Sequence, residues 1–295
     1  MYLLTGHKSN KKILITYDVH RPHQEHFLLH HIEFKKYFLN YPFYAEYVSD
    51  LETEYDYSKW IKTNNPHEPL NYLTKNYLIG HDGVIGCELP KNIIQFLNDN
   101  NIFFINYHRS PYRCYPQEFW SIECPLSLSN MQIPHKPEVN KAPVKIGTLL
   151  VGQIKEDRSL IKDNKFISLI DFEHIIDNLP KPIYFAPHPN GNEELYVWAK
   201  IKNYNIVNYG AYELLESNPQ LVCGVSSSLL YEARDIWKLP VLFLNENQAI
   251  KNYIHLPYEL AFDHELINAI FEENESKVKI FLGKNYPKYL SSQNS

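Results

Sequence analysis

The sequence predicts an α/β protein of two lobes, each built on a parallel sheet. Three observations carry this expectation. The 295 residues exceed what one hydrophobic core usually serves, which points to two lobes of roughly 140 residues. Strand-like and helix-like segments alternate regularly through the second half, the pattern of a parallel sheet covered on both faces. Between the halves, residues 130–146, "NMQIPHKPEVNKAPVKI", hold three prolines and no aromatic residue, as a linker does. The expected domains are therefore 1–135 and 145–295.

In the first half, Ile13 to Tyr17 reads as a buried strand bounded by Lys11 and Lys12 and followed by the polar loop "DVHRPHQEH". Residues 27–40 place Phe27, Leu28, His31, Ile32, Phe34, Tyr37 and Phe38 at near-helical spacing. The stretch from about 48 to 75 is polar and Tyr-rich, irregular with a short helix. Then "YLIGHDGVIG", "KNIIQFLNDNN" and "IFFINYH" read as strand or turn, helix and strand. Beyond the linker, "GTLLVGQ" is a strand, "SLIDFEHIIDNL" an amphipathic helix, "PIYFAPHP" a strand with a sharp exit and "NEELYVWAKIK" a helix. "NIVNYG", "AYELLESN", "LVCGVSSS", "LLYEARDIWK" and "PVLFLN" continue the alternation.

Composition excludes several classes. Apolar residues at 44% and charged residues at 21% are ordinary for a globular chain and leave little room for long disorder. A net charge of -5, from 29 basic and 34 acidic residues, lacks the cationic excess that nucleic acid binding needs. Cys87, Cys114, Cys124 and Cys223 form no CxxC pair, and the spacing of Cys114 and Cys124 with His108 fits no zinc motif. No secretory leader precedes "KKILITYDVH", and no apolar stretch approaches the ~20 residues of a membrane span. The expectation is a cytoplasmic protein whose membrane association, if any, is peripheral to the inner face. The 23 Tyr and 14 His against 10 Gly suit sugar faces and anionic ligands.

Ligands of parallel sheets sit beyond the carboxyl ends of the strands, and three polar motifs fall there. In "GVSSSLLYEA" a strand ends and a helix begins within Ser226, Ser227 and Ser228. Hydroxyls at a helix start combine capping with exposed N–H groups and the positive end of the dipole, an anion site; helix capping alone is the alternative role. Glu232 follows in the same helix, within reach of a ribose whose phosphate lies at the cap. In "FAPHPN", Pro187 and Pro189 fix the backbone on either side of His188, so a rigid imidazole can donate to a phosphate. In "VGQIKEDRS", Gln153, Glu156, Asp157 and Ser159 reach the same edge, where a carboxylate can act as nucleophile or base near an anomeric carbon.

"GQ-x-x-x-D-x-S", then "PHP", then "SS" with "EA" together resemble the bacterial capsule and lipopolysaccharide β-Kdo transferases over roughly residues 147–245. In the first half the likeness is limited to "GCELP" and "HRSPYR". The resemblance implies a GT-B-like fold, two Rossmann-like lobes with a cleft between them, and a CMP-activated sugar as co-substrate with no cofactor and no metal. It implies Asp157 as nucleophile of a retaining double displacement and Glu88 as acid/base. It also implies that His188, Pro189 and Ser226 to Ser228 bind the CMP phosphate and Glu232 the ribose, with a glycan or glycolipid as acceptor. The family often has Lys before "PHP", where this chain has Ala186.

His81, Asp82, His108, Arg109 and Arg113 form one expected neighbourhood, in which Arg109 and Arg113 suit the carboxylate of an ulosonic acid. Gln153 and Ser159 would join them in binding donor or acceptor. Asp18, His20, Arg21 and His23 offer an acceptor-side cluster. Other readings remain open: an inverting CMP-sialic acid transferase with Asp82 as base, a CDP-glycerol phosphotransferase, a sugar-nucleotide epimerase and a silent sugar-binding module.

Overall fold

The computed structural model describes residues 9–17, 43–49, 67–87, 89–110, 112–114, 119–126, 136–155, 158–163, 165–207, 209–245 and 253–293. In chain order the strands are β1 (Ser9–Tyr17), β2 (Phe43–Ser49), β3 (Gly83–Cys87), β4 (Phe103–Arg109), β5 (Phe119–Glu123), β6 (Thr148–Val151), β7 (Ile161–Lys162), β8 (Lys165–Phe166), β9 (Ile183–Ala186), β10 (Asn205–Ile206), β11 (Leu221–Gly224), β12 (Val241–Phe243) and β13 (Ile254–Pro257). The helices are α1 (Tyr72–Ile79), α2 (Lys91–Asp99), α3 (Glu173–Ile176), α4 (Glu193–Ile201), α5 (Ala211–Glu216), α6 (Ser228–Asp235), α7 (Tyr258–Ala261), α8 (His264–Phe271) and α9 (Glu275–Gln293). The helix expected over 27–40 lies outside the described residues.

The chain is α/β and divides into two compact units, each discontinuous in sequence. The first comprises Met1–Arg109, Trp120–Met131 and Asn252–Ser295; the second comprises Ser110–Phe119 and Gln132–Lys251. This corrects the expected division into 1–135 and 145–295. Residues 252–295 join the first unit because its sheet needs them: Phe262, Leu266, Ile267, Ile270, Phe271, Val278, Phe281 and Leu282 pack in one core with Ile13, Ile15, Ile85, Ile105 and Tyr107. An uncovered apolar sheet face is unstable in water.

The sheet of the first unit runs β2-β1-β3-β4-β5-β13 among the described residues. Strands β2, β1, β3 and β4 are parallel, and β5 lies antiparallel to β4. Alternate residues face two cores: Leu14, Val84 and Phe104 pack with Leu78, Ile93 and Leu97 of α1 and α2. Gly86 lets the chain fold back at the end of β3, since a Cβ there would meet the Leu89 side chain at 2.3 Å.

The sheet of the second unit runs β10-β9-β6-β11-β12, and among the described residues its pairings are parallel. Its strands read as short apolar runs because both faces are covered. Leu149 and Val222 face a core that contains Leu214, Leu229, Leu230 and Ala233. Leu150 and Cys223 face another that contains Leu195, Trp198 and Ala199. Where one amphipathic helix is expected over "SLIDFEHIIDNL", the chain makes a 3-10 turn, Leu169–Phe172, and then α3. The Ser168 N–H donates to Asp171 Oδ2 at 2.6 Å, and Ser168 Oγ accepts from the Ile170 N–H, a reciprocal cap that tightens the first turn.

Candidate functional site

Strand order locates the site of the second unit. From the central β6 the chain adds β9 and β10 on one side, then crosses to add β11 and β12 on the other. Succession reverses between β6 and β11, and open parallel sheets hold ligands at the carboxyl ends of the strands where it does so. Gln153 follows β6 there, and Ser226 follows β11.

These two side chains are bonded to each other. The Ser226 N–H donates to Gln153 Oε1 at 3.0 Å and Gln153 Nε2 donates to Ser226 Oγ at 3.0 Å, so the amide orientation is settled by its partners. Ser159 Oγ lies 2.8 Å from Ser226 Oγ, and the Ser159 carbonyl accepts at 3.0 Å from Ser226 Oγ and at 3.4 Å from Asn245 Nδ2, just beyond β12. Asn192, the N-cap of α4, donates through Nδ2 to the Gln153 carbonyl at 3.2 Å. Exits from four neighbouring strands are thereby tied into one polar network. Asn245 is fully buried, and among the described residues its Oδ1 has no hydrogen-bond partner.

Two glycines set the spacing of this edge. The Gly152 N–H donates to the Ala186 carbonyl at 2.8 Å, and a Cβ on Gly152 would stand 3.0 Å from that oxygen and 3.1 Å from the His188 nitrogen. Past β9, the Gly191 N–H donates to the His188 carbonyl at 2.9 Å, and Gly191 has φ of 77°, a left-handed conformation glycine adopts without strain. The Asn190 N–H donates to His188 Nδ1 at 3.1 Å. In the neutral ring the proton therefore sits on Nε2, the nitrogen able to donate to an anion. Pro189 is exposed in the same turn.

The serine run divides its labour. Ser227 is the N-cap of α6, its Oγ accepting from the Leu229 N–H at 3.4 Å, and Ser228 opens the helix. Ser226 is buried in the network with Gln153. Glu232, expected at a ribose, is held by the protein's own backbone N–H groups. It is 1% exposed, and its Oε1 accepts from the Arg113 N–H at 2.5 Å, the Cys114 N–H at 2.7 Å and the Tyr212 hydroxyl at 3.2 Å. Burial raises its carboxyl above the usual range, and these donors offset the rise only in part. Burial and the neighbouring Glu232 also push the Cys114 thiol up to about 12. Tyr112 donates to Asp235 Oδ2 at 2.7 Å, so α6 grips residues 112–114 at two points.

The neighbourhood expected from His81, Asp82, His108, Arg109 and Arg113 is not one place. Asp82 precedes β3 at the amino edge of the first sheet, accepting from the Lys12 N–H at 2.7 Å, and His81 is beside it, its Nδ1 2.8 Å from the Tyr77 carbonyl. His108 and Arg109 end β4 at the carboxyl edge. Arg113 belongs to the second unit, with its side chain exposed. Glu88, Asp157, Glu156, Asp18, His20, Arg21 and His23 lie outside the described residues.

Sequence reasoning missed a further cluster on the first sheet. Asn106 Nδ2 donates to Glu123 Oε2 at 2.8 Å and lies 2.8 Å from His108 Nε2, which is 3.2 Å from the same carboxylate oxygen. Burial opposes ionisation of Glu123, but the His108 and Asn106 hydrogen bonds outweigh it and hold the carboxyl below its ordinary value. The signal available was the alternation of "FINYH" and "FWSIE", with polar side chains on one face of two buried strands.

Among the described residues no three His, Cys, Asp or Glu side chains are grouped to hold a metal ion, and no helix is long and apolar enough to cross a membrane. No family model matches the chain, and no curated protein matches it. Among solved structures, an ABC domain in complex with L-Trp from Streptococcus pneumonia is 10% identical, covering 93% of this chain and 84% of that one with a TM-score of 0.24. So low a score relates neither fold nor function.

Proposed function

We propose that the chain is a glycosyltransferase that moves an ulosonic acid, Kdo first among candidates, from a CMP-sugar to a surface-polysaccharide or lipopolysaccharide acceptor. The observation that carries this reading is the Gln153–Ser159–Ser226 network at the strand-order reversal, beside the start of α6. A helix of this length offers first-turn N–H groups and a positive dipole end to a phosphate. His188, on the exit of β9, stands two interstrand spacings, about 10 Å, from the exit of β11, a span that suits a second anionic or hydroxyl group of the same ligand.

The finer parts of the reading are a GT-B-like arrangement with the donor on the second lobe and the acceptor on the first, Asp157 as nucleophile and Glu88 as acid/base. A cytoplasmic enzyme peripheral to the inner face of the membrane suits such a donor. The inverting alternative with Asp82 as base is disfavoured by that residue's place at the amino edge of β3, opposite the edge where parallel sheets hold ligands.

The test is purified protein with CMP-Kdo, CMP-sialic acid and CDP-glycerol, measuring release of CMP with and without acceptor glycans. CMP release from CMP-Kdo is expected, and replacing Asp157 by Asn should lower it at least 10²-fold. No release from any donor removes the transferase reading; normal turnover by the Asp157 variant removes the nucleophile.

A further inference from the structure

The sheet of the first unit has a reversal of its own. From β1 the chain adds β2 on one side, then crosses to add β3 and β4 on the other. Succession therefore turns between β1 and β3, and a parallel sheet takes a ligand at the carboxyl ends of the strands where it does so. Helix α2 follows β3 directly at that edge. Its start is drawn over the strand ends by two contacts: Gly86 admits the Leu89 side chain against the end of β3, and the Leu89 N–H donates to Asn106 Oδ1 of β4 at 3.0 Å.

The first turn of α2 is built of donors. N–H groups there have no carbonyl partner within the helix, and the dipole adds positive potential. In α1, α4, α6 and α8 the side chains of Asn71, Asn192, Ser227 and Asp263 accept from such groups. The N-cap of α2 is Pro90, which makes no side-chain cap hydrogen bond, and its first turn has no acidic residue and opens with the cation Lys91.

Asn92 is the independent sign of a ligand. It is 3% exposed, and its Oδ1 accepts from the Ile93 N–H at 2.9 Å. That bond holds the amide at the first turn and settles which of its ends is the donor. Among the described residues Asn92 Nδ2 has no hydrogen-bond partner. A buried donor left unmet costs free energy that an apolar side chain in the same place would avoid. The group that would meet Nδ2 beside first-turn N–H groups and the positive end of a dipole is an oxyanion.

We propose that the start of α2 is an oxyanion site of the first unit, with Asn92 Nδ2 and the first-turn N–H groups as its donors, and that it takes the carboxylate or phosphate of an acidic acceptor glycan. The oxyanion site stands on the first unit alone, while its assignment to the acceptor rests on the transferase reading. The site binds and orients; no bond is made or broken at it.

The test follows the Asn92 side-chain amide by nitrogen-15 NMR of the full-length protein while glucuronic acid, glucose 6-phosphate or neutral glucose is added. Either acid should shift the signal saturably and glucose should leave it in place; a signal unmoved by both acids, or moved equally by glucose, overturns the site. A response to one acid alone supports the site and names carboxylate or phosphate as the group it takes. Asn92→Leu keeps the volume and removes the donor. It should melt no lower than wild type and bind the responding acid at least about tenfold more weakly at the Ile93 backbone amide, whereas undiminished binding by the variant overturns the assignment. In the transfer assay an acidic acceptor glycan should show a lower KM than a neutral one, and Asn92→Leu should raise that KM about tenfold with kcat little changed; equal KM for both glycans in the wild type overturns the acceptor assignment. If the chain neither binds CMP nor releases it, the transferase reading fails and takes the acceptor assignment with it, while the Asn92 signal still decides the oxyanion site.

Discussion

At the residue scale, Glu232 shows how a side chain that reads as a ligand contact serves the fold. Its partners Arg113 and Cys114 stand more than a hundred positions earlier in the chain, so no local pattern announces them, whereas Ser227 as helix cap was one of the two roles its position allowed. Glu232 ionises against burial, and its folded pKa lies above the unfolded one. The carboxyl thus contributes most to stability below the unfolded value of about 4.3, and this contribution falls as pH rises through the folded value. Glu232→Gln keeps an acceptor oxygen for the N–H groups and removes the charge. Its melting temperature relative to wild type should therefore rise between pH 4 and pH 8, while Glu232→Ala, which leaves those donors unmet, should lose about 2 kcal/mol in urea unfolding. A Gln variant whose difference from wild type is flat with pH would show that Glu232 is not the titrating group.

At the scale of elements, the alternation between 147 and 245 was readable because strands covered on both faces become short apolar runs bounded by polar exits. Gln153, His188 and Ser226 fall on those exits as their motifs suggest. Strands β2, β5 and β13 went unread for a physical reason: β13 has four residues, and β5 mixes a core face of Trp120 and Ile122 with the polar Ser121 and Glu123. The exits depend on glycine spacing, and two substitutions separate spacing from stability. A Cβ on Gly147, at the amino end of β6, would come within 2.4 Å of the Lys181 backbone, so Gly147→Ala should cost about 3 kcal/mol and leave CMP affinity in the folded fraction unchanged. Gly152→Ala presses on the Ala186 oxygen and the His188 nitrogen at the carboxyl end, and should weaken CMP binding as well as lower the melting temperature. Equal affinity in both variants, measured by calorimetry, would argue that the β6 exit does not hold the nucleotide.

At the scale of the whole molecule, the proline-rich stretch that looks like a linker is not the only crossing. Residues 136–147 form no regular element, yet Ala142 and Ile146 are buried with Leu149, Val222 and Leu229, and the Ser217 hydroxyl donates to the Ala142 carbonyl at 2.8 Å. Proline and the absence of aromatics mark irregular backbone, not exposure. The chain returns to the first unit at Asn252, where α8 and α9 supply Leu266, Ile267, Ile270, Phe271, Val278, Phe281 and Leu282 to its core. A fragment ending at residue 135 therefore lacks one covering layer of its sheet. Burying side chains of this size stabilises by about 1.5–3 kcal/mol each, in sum comparable to the roughly 5–15 kcal/mol that holds a typical domain folded. Residues 1–135 expressed alone should show no cooperative thermal transition and should bind a hydrophobic dye, whereas 1–131 joined through a short flexible linker to 252–295 should melt cooperatively. A cooperative melt of the 1–135 fragment would mean that the sheet closes its own core and that α8 and α9 are dispensable to it.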